Sequence, residues 1–302
     1  MQNQTNAETT IDVSSCESLR GKNVLLTGAT GLLGGCIART LWREGASLVV
    51  TGRNADLLER LTSTLPRAID MDQRIHAIAA DIGDHAAAVR IIDAARHLWS
   101  RLDVLINNAA VIGPIGPVWE TDWDAWQQTI QVNLLAPAAL CRLSVPWMRH
   151  SDGGSIINIS GGGATTARPR FSAYATAKAG LVRFSETLAE EVLAYNISVN
   201  CVAPGPMNSA MLDAVVDAGP ERAGKEYERA LAQQRTGTAS PQNPADLIAF
   251  LASSSGRRIT GKLISAVWDP WRSFGAHLDD LQKGDIYTLR RITPSDRGKC
   301  WA

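Results

Sequence analysis

Residues 23–35 of the chain read NVLLTGATGLLGG, a short apolar run followed at once by a glycine-rich turn. Glycines allow a backbone to turn sharply and to approach a pyrophosphate, which the free N–H groups at a helix N-terminus stabilise. The same glycines would also serve close packing of a helix against a strand. Because the turn stands between a predicted strand and a predicted helix, we favour dinucleotide binding as its interpretation.

The alternation of apolar runs and helical spacing continues along the chain. Predicted strands cover residues 24–27, 47–51, 75–79, 104–107, 155–160, 197–202 and 263–266. Predicted helices cover residues 33–43, 55–64, 85–99, 122–148, 172–194 and 244–252. Continuous apolar strands that alternate with helices are typical of a parallel sheet covered on both faces. The sequence therefore predicts an α/β fold, a doubly wound parallel sheet (Rossmann fold) of about seven strands with helices on both faces.

The rest of the chain is interpreted around this single domain. Residues 1–20 are polar, lack the apolar segment of a signal peptide, and are predicted to be a disordered lead-in. Residues 21–267 are predicted to form the dinucleotide-binding and catalytic domain, in which the long loop 206–240 would be a substrate lid. Residues 268–302 form a C-terminal extension, whose aromatic side chains would dock on the same subunit or on a neighbour. These side chains are Trp268, Trp271, Phe274 and Trp301.

Composition limits the possible partners. Thirty Lys and Arg residues balance thirty Asp and Glu residues in a chain of 302 residues, so no global basic excess favours nucleic acid or an anionic membrane. No apolar run approaches the roughly 20 residues needed to span a bilayer. Five scattered cysteines without a CxxC pair are typical of the reducing cytoplasm. The five histidines show no ligand spacing, so we expect no metal site.

The end of the second predicted strand bears on the choice of cofactor. An acidic residue there would bind the ribose 2′-hydroxyl of NAD, whereas an arginine accommodates the 2′-phosphate of NADP. Here Arg53 and Asn54 follow Gly52, and no Asp or Glu stands beside them. We therefore expect NADP, with NAD as the alternative. Asp81, after the third strand, is a candidate to bind the adenine, although it could equally cap the next helix.

Three side chains suggest acid–base chemistry. Tyr174 and Lys178 are four residues apart in a predicted helix and therefore lie on one face of it. Ser160 ends the fifth predicted strand, at the sheet edge where α/β proteins bind ligands. A phenol with a pKa of about 10 exchanges protons poorly at neutral pH unless a cation lowers that pKa. A Tyr and a Lys at this spacing are usually a surface pair, so the surrounding motifs must decide.

Taken together, these motifs resemble the short-chain dehydrogenase/reductase family over residues 22–266. The matching pieces follow the family's order: residues 27–34, Asp81, Asn107-Asn108-Ala109-Ala110, Asn133, Ser160, Tyr174 with Lys178, and Pro204-Gly205. The resemblance implies that Tyr174 is the general acid/base and that Ser160 hydrogen-bonds the reacting oxygen. It implies that Lys178 binds the nicotinamide ribose and lowers the pKa of Tyr174. Asn133 would hold a water that links Lys178 to solvent.

The resemblance, with the strand-end rule, also implies which residues contact the cofactor. They are Gly28, Thr30, Gly31, Leu32, Leu33, Gly34, Arg53, Asn54, Asp81, Ile82, Asn108, Ala109, Ala110, Tyr174, Lys178, Pro204, Gly205, Met207 and Ser209. The sequence departs from the family's shorter branch at three places. Its glycine spacing, TGxxGxxG, is that of the extended branch, Ala110 replaces a glycine, and residues 263–271 replace an Asp-Gly-Gly ending.

The sequence thus predicts an oxidoreductase that transfers hydride between a nicotinamide cofactor and a carbonyl or secondary alcohol. One alternative is an epimerase or dehydratase with tightly bound NAD, which the glycine spacing suggests. Another is a cofactor-sensing module without turnover, although the complete set Asn133, Ser160, Tyr174 and Lys178 favours an enzyme. The expected partners are a small carbonyl or alcohol substrate and further copies of the chain. A homodimer or homotetramer would form through the predicted helices 122–148 and 172–194.

Overall fold

The computed structural model describes residues 19–237 and 240–301. In that part of the chain, seven parallel strands form one sheet in the order β3-β2-β1-β4-β5-β6-β7. The strands are β1 (Asn23–Leu26), β2 (Ser47–Gly52), β3 (Ile75–Ala79), β4 (Val104–Asn107), β5 (Gly154–Ile159), β6 (Ile197–Ala203) and β7 (Leu263–Ser265). The predicted doubly wound parallel sheet is confirmed. Residues 1–18 of the predicted lead-in lie outside the described residues.

Helices cover both faces of the sheet. They are α1 (Leu32–Arg43), α2 (Ala55–Ser63), α3 (Ala87–Leu98), α4 (Trp123–Ile130), α5 (Ala136–Met148), α6 (Ser172–Val192), α7 (Ala210–Asp217), α8 (Gly219–Ala223), α9 (Lys225–Thr236), α10 (Gln242–Ala252) and α11 (Leu278–Lys283). Buried side chains of α1, α2, α10 and the C-terminal extension pack on one face, and those of α3, α5 and α6 pack on the other. None of the described helices is both long enough and apolar enough to cross a membrane.

The central strands carry apolar side chains on both faces because both of their faces are covered. Val24 and Leu26 of β1 belong to the core beneath α1 and α10, whereas Leu25 between them belongs to the core beneath α3 and α5. Successive side chains of a strand point to opposite faces, so a strand covered on both sides needs apolar residues at successive positions. In the observed register, Val24 lies between Leu48 of β2 and Val104 of β4.

The predicted helix 122–148 is wrong in one respect, because a π-helical turn at Gln131–Leu135 interrupts it between α4 and α5. Pro137 has no N–H and cannot donate to the Asn133 carbonyl four residues before it. The Asn133 side chain is bound to the neighbouring loop: its Oδ1 accepts from the Val111 N–H at 2.9 Å, and its Nδ2 donates to the Val111 carbonyl at 2.8 Å. The bounds of the other predicted helices and strands differ from the observed ones by at most two residues, and those of β3 and β4 are the same.

The segment 206–240 was predicted to be a loop, whereas its described residues contain three helices, α7, α8 and α9. The reason lies in their burial. Each of these helices has a single fully buried residue, which is Val215, Ala223 and Ala230 respectively. A helix with so narrow a buried face carries no apolar stripe that the sequence could reveal.

The C-terminal extension packs on its own chain. Trp271 and Phe274 are buried in the core, and Trp271 stacks on Phe250 of α10 with 6.1 Å between the ring centroids. Further along, the Leu263 N–H of β7 donates to the Tyr287 carbonyl at 2.8 Å. The extension thereby covers the open edge of β7, which would otherwise present unpaired backbone groups. The remaining aromatic residues of the predicted set, Trp268 and Trp301, are exposed.

Candidate active site

A cleft of about 1150 Å³ opens at the carboxyl ends of the strands. This edge is where open α/β sheets bind ligands, since neighbouring strands there send their connections to opposite faces. Every predicted site residue lines the cleft except Asn54 and Asn133. Asn54 caps α2, with its Oδ1 accepting from the Leu57 N–H at 3.0 Å. Asn133 is fully buried behind the cleft, where it is bound to Val111.

The glycines of the turn between β1 and α1 have two different tasks. A Cβ added at Gly28 would lie 2.7 Å from the Ala109 Cα, and one added at Gly34 would collide with the Gly28 carbonyl. These two glycines therefore allow close packing, which Asn108 secures by donating from Nδ2 to the Gly28 carbonyl at 3.0 Å. Gly31 is different, because a Cβ there would meet nothing nearer than 3.6 Å. It lines the cleft at the N-terminus of α1, where backbone N–H groups attract an anion.

The carboxyl end of β2 presents a single cation to the cleft. A Cβ added at Gly52 would lie 3.1 Å from the Thr30 side chain, so this position has little room for a carboxylate side chain. The next residue, Arg53, is exposed and lines the cleft. Its guanidinium has no ion-pair partner in the described part of the chain. An arginine in this state is available to a ligand phosphate.

Asp81 follows β3 at the same end of the cleft. One of its carboxylate oxygens, Oδ1, accepts from the Gly83 N–H at 2.9 Å. This bond makes Asp81 part of a turn before α3. That role is similar to the helix capping that the sequence allowed for this residue. Ile82 is buried beside it and also lines the cleft.

Below the cleft, buried polar side chains connect β4, β5 and α6. Asn107 Nδ2 donates to Asn158 Oδ1 at 2.8 Å, and Asn158 Nδ2 donates to Ser185 Oγ at 2.8 Å. Ser185 in turn donates to the Leu181 carbonyl at 2.7 Å. The bonds through Asn158 and Ser185 connect β5 directly to α6.

Three predicted residues meet on this frame. Ser160 directly follows β5, and its Oγ is buried without a hydrogen-bond partner in the described part of the chain. The Tyr174 hydroxyl reaches the adjacent backbone so closely that a Cβ at Gly161 would collide with it. Lys178 is 2% exposed, and its Nζ donates to the Ile159 carbonyl at 2.7 Å and lies 5.7 Å from the centroid of the Tyr174 ring. The Ser160 hydroxyl, the Tyr174 phenol and the Lys178 ammonium group therefore lie near one another at the end of β5.

Burial and nearby cations set the electrostatics of this group. Burial raises the pKa of the Tyr174 phenol, and the positive charge of Arg168 counteracts this rise. Burial also lowers the pKa of Lys178, to about 8. The Lys178 ammonium is directed to the Ile159 carbonyl. Its predicted effect on the pKa of Tyr174 stays a prediction.

Arg168 was not among the predicted residues. It lies in the loop between β5 and α6, with its Cζ 4.1 Å from the centroid of the Phe171 ring and 5.6 Å from that of Tyr174. Its Nε and Nη2 donate to Glu226 Oε2 of α9 at 3.2 and 3.1 Å. The other oxygen of Glu226 accepts from Arg229 at 2.7 Å. No motif marks the pair of Arg168 and Glu226, because the two residues are 58 positions apart in the sequence.

The C-terminal extension also reaches the cleft, through Trp268, Asp269 and Tyr287. Asp269 Oδ2 accepts from the Ser265 N–H at 2.6 Å, while burial raises the pKa of its carboxyl group. Tyr287 has a φ of +61°, a left-handed conformation that few non-glycine residues adopt. The sequence suggested only a docking role for this segment, because nothing in its order indicates that it returns to the cleft.

The described residues contain no group of three or more His, Cys, Asp or Glu side chains that could hold a metal ion.

A family model described as short chain dehydrogenase matches residues 22–219. The chain belongs to the short-chain dehydrogenase family. As a member of this family, the protein is an oxidoreductase. Nodulation protein G of Rhizobium sp. (strain N33) is 34% identical over 82% of this chain and 95% of its own length. The human dehydrogenase/reductase SDR family member 4 is 30% identical over 82% of this chain and 87% of its own length.

Solved structures of short-chain dehydrogenases share the fold. A short-chain alcohol dehydrogenase candidate from Sinorhizobium meliloti 1021 has a TM-score of 0.71 and 27% identity, over 82% of this chain and 96% of that one. A candidate NAD(P)-dependent gluconate 5-dehydrogenase from Beutenbergia cavernae has a TM-score of 0.70 and 26% identity, over 82% of this chain and 96% of that one. The latter structure contains NADP at low occupancy.

Proposed function

We propose that this short-chain dehydrogenase transfers hydride between NADP and a carbonyl or secondary alcohol. The observation that carries the proposal is the meeting of Ser160, Tyr174 and Lys178 in a cleft that also contains the glycine turn and Arg53. A buried hydroxyl without a partner, such as that of Ser160, is costly unless a ligand satisfies it. We assign the reaction to the cytoplasm, because the cysteines in the described part of the chain are free thiols.

The cleft fits a dinucleotide at both of its ends. Gly31 leaves space at the N-terminus of α1 for a pyrophosphate, and Arg53 offers a planar fork of donors for a 2′-phosphate. At the other end, Pro204, Gly205, Met207 and Ser209 line the wall that would hold the nicotinamide. When bound, the nicotinamide cofactor would supply or accept the hydride.

The side chains of this protein would handle the proton and the developing charge. On reduction, Tyr174 would give its phenolic proton to the substrate oxygen while Ser160 donates a hydrogen bond to the same oxygen. Lys178 uses one N–H on the Ile159 carbonyl, and its two other donors would bind the ribose hydroxyls. Asn133 would hold a water from the π-helical turn and so connect Lys178 to solvent.

The substrate would bind between the lid and the C-terminal extension. Helices α7, α8 and α9 contribute buried apolar side chains that pack with Tyr174, Phe171 and Ile115. The opposite wall is formed by the extension residues that line the cleft. We propose that residues 206–240 act as the lid predicted from the sequence, and that the extension completes the substrate pocket within the same chain.

The choice of NADP is tested at Arg53. A charge-assisted hydrogen bond to phosphate contributes roughly 1.5–3 kcal/mol, which corresponds to an affinity preference of about ten- to a hundred-fold. We expect Arg53→Ala to reduce the ratio of kcat/KM for NADPH over NADH by that factor. The measurement is the steady-state rate with each cofactor in the wild type and in the variant.

Arg60 provides the matched control for this test. It lies on α2, is exposed and does not line the cleft, so Arg60→Ala removes the same charge nearby and should leave the cofactor ratio unchanged. A preference of the wild type for NADH, or an unchanged ratio in Arg53→Ala, would reject NADP as the cofactor.

We also propose that the chain forms a homodimer or homotetramer. Of the two helices predicted to build the interface, the second contributes mostly to its own core, since Leu181 and Leu188 of α6 are buried. In the first predicted helix and just before it, Trp119, Trp123 and Leu135 are 81%, 58% and 49% exposed. Exposed apolar side chains favour a protein interface where they form one patch. Light scattering should give a multiple of the single-chain mass of 32.4 kDa, and a monomer mass would contradict the proposal.

A further inference from the structure

We propose that Arg168 is a positioning residue for Tyr174 and that Glu226 connects it to the lid. This proposal depends on the proposed function in one respect, namely that Tyr174 exchanges a proton with the substrate. The contacts of Arg168 do not depend on that function. Arg168 is fixed on two sides, by stacking on the Phe171 ring at 4.1 Å and by two hydrogen bonds to Glu226. Its guanidinium therefore stays close to the Tyr174 ring, with 5.6 Å between Cζ and the ring centroid.

Two cations thus flank Tyr174 at almost the same distance, since Lys178 Nζ lies 5.7 Å from the same centroid. Arg168 remains protonated throughout the range in which a phenol titrates. Its positive charge favours the tyrosinate and counteracts the rise in the pKa of Tyr174 that burial causes.

The lid modulates this field through one carboxylate. Glu226 belongs to α9 and shares its two oxygens between Arg168 and Arg229. The negative charge of Glu226 opposes the field of Arg168 at Tyr174, so the proton affinity of the phenol depends on where α9 lies. Two further charged groups of the packed elements have partners away from Tyr174: Arg222 of α8 donates to the Ile115 carbonyl, and Asp213 of α7 accepts from Gln234.

The titration of Tyr174 can be measured without substrate or cofactor. Tyrosinate absorbs in the near ultraviolet, and the chain contains only four tyrosines. Subtracting the alkaline titration of Tyr174→Phe from that of the intact chain isolates the midpoint of Tyr174. Circular dichroism at each pH restricts the comparison to folded protein. This measurement needs no turnover, so a failure of the proposed oxidoreductase activity would leave its result intact.

Two variants should move the midpoint in opposite directions. Arg168→Gln removes a cation a few ångströms from the ring, which at an effective dielectric constant of 20 corresponds to a rise of about one to two pH units. Glu226→Gln keeps an oxygen that can accept from Arg168 but removes the opposing charge, so the midpoint should fall by up to about one unit. Loss of packing alone would not produce shifts of opposite sign.

The control is Arg170→Gln. This arginine lies in the same loop and also binds the lid, donating to the Glu221 carbonyl at 2.6 Å, but it does not contact the Tyr174 ring. It should leave the midpoint unchanged. If Arg168→Gln does not fold, Glu226→Gln tests the proposal alone, since it leaves Arg168 in place. An unchanged midpoint in Arg168→Gln, or an unchanged or raised midpoint in Glu226→Gln, would overturn the proposal.

Discussion

Tyr174→Phe should lose about 10²- to 10⁴-fold in kcat/KM, the usual contribution of a positioned general acid or base. The phenylalanine keeps the ring that packs with Phe171 and Val215 of the lid cluster, so the fold and the shape of the cleft should be preserved. What is lost is the hydroxyl that lies against the backbone at Gly161, beside Ser160. The affinity for NADPH, followed by the fluorescence of the bound cofactor, should change little.

The matched control for this variant is Tyr227→Phe. Tyr227 belongs to α9 and packs against the same apolar cluster, but it does not line the cleft. Removing its hydroxyl should therefore leave kcat/KM within about two-fold of the wild type, since it changes neither charge nor any contact with the substrate. A Tyr174→Phe enzyme that kept a tenth of the wild-type kcat/KM, a loss of only about 1.4 kcal/mol, would exclude Tyr174 as the acid/base.

Trp271→Ala should lower the free energy of unfolding by about 3–5 kcal/mol, as expected for truncation of a buried aromatic side chain. Trp271 is 3% exposed, stacks on Phe250, and donates from Nε1 to the Ala266 carbonyl at 3.3 Å. Its loss would leave a cavity between α10 and the C-terminal extension and would release the segment that covers β7. Equilibrium unfolding in urea, with the slope compared between the two proteins, measures the change.

Trp301→Ala is the matched control in the same extension. Trp301 is 78% exposed, so its truncation should change the free energy of unfolding by no more than about 0.5 kcal/mol. A cost below about 1 kcal/mol for Trp271→Ala would mean that the extension is not part of the cooperative core.

The fold was predictable because its signals are local. Each central strand carries a short, mostly apolar run, and the glycine turn stands where the first helix begins. The parallel sheet, the order of its elements and the edge at which the cleft opens therefore followed from the sequence. The lid helices could not be predicted in this way. Val215, Ala223 and Ala230 are their only fully buried residues, and an alanine among polar residues gives no periodic signal.

Much of the candidate site was predictable for the same reason. Tyr174 and Lys178 are one helical turn apart, and Ser160 stands at the end of a strand, so the topology alone brings them to one edge of the sheet. The interaction of Arg168 with Glu226 spans 58 residues, and Asp269 and Tyr287 return from an extension without a recognisable motif. Contacts of this kind depend on tertiary packing, which the order of residues does not reveal.

The central claim is that hydride passes directly between the cofactor and the substrate. It is tested with NADPH that carries deuterium at one or the other hydride position of the dihydronicotinamide ring, and with a panel of ketones. For a ketone that is consumed, we expect deuterium on the carbinol carbon of the alcohol from one of the two labelled cofactors. We also expect one oxidised cofactor to be released for each alcohol formed. An epimerase or dehydratase would convert its substrate without net oxidation of the cofactor, and a sensor would bind NADPH without turnover. Product without deuterium from either labelled cofactor, or conversion without release of oxidised cofactor, would contradict the account.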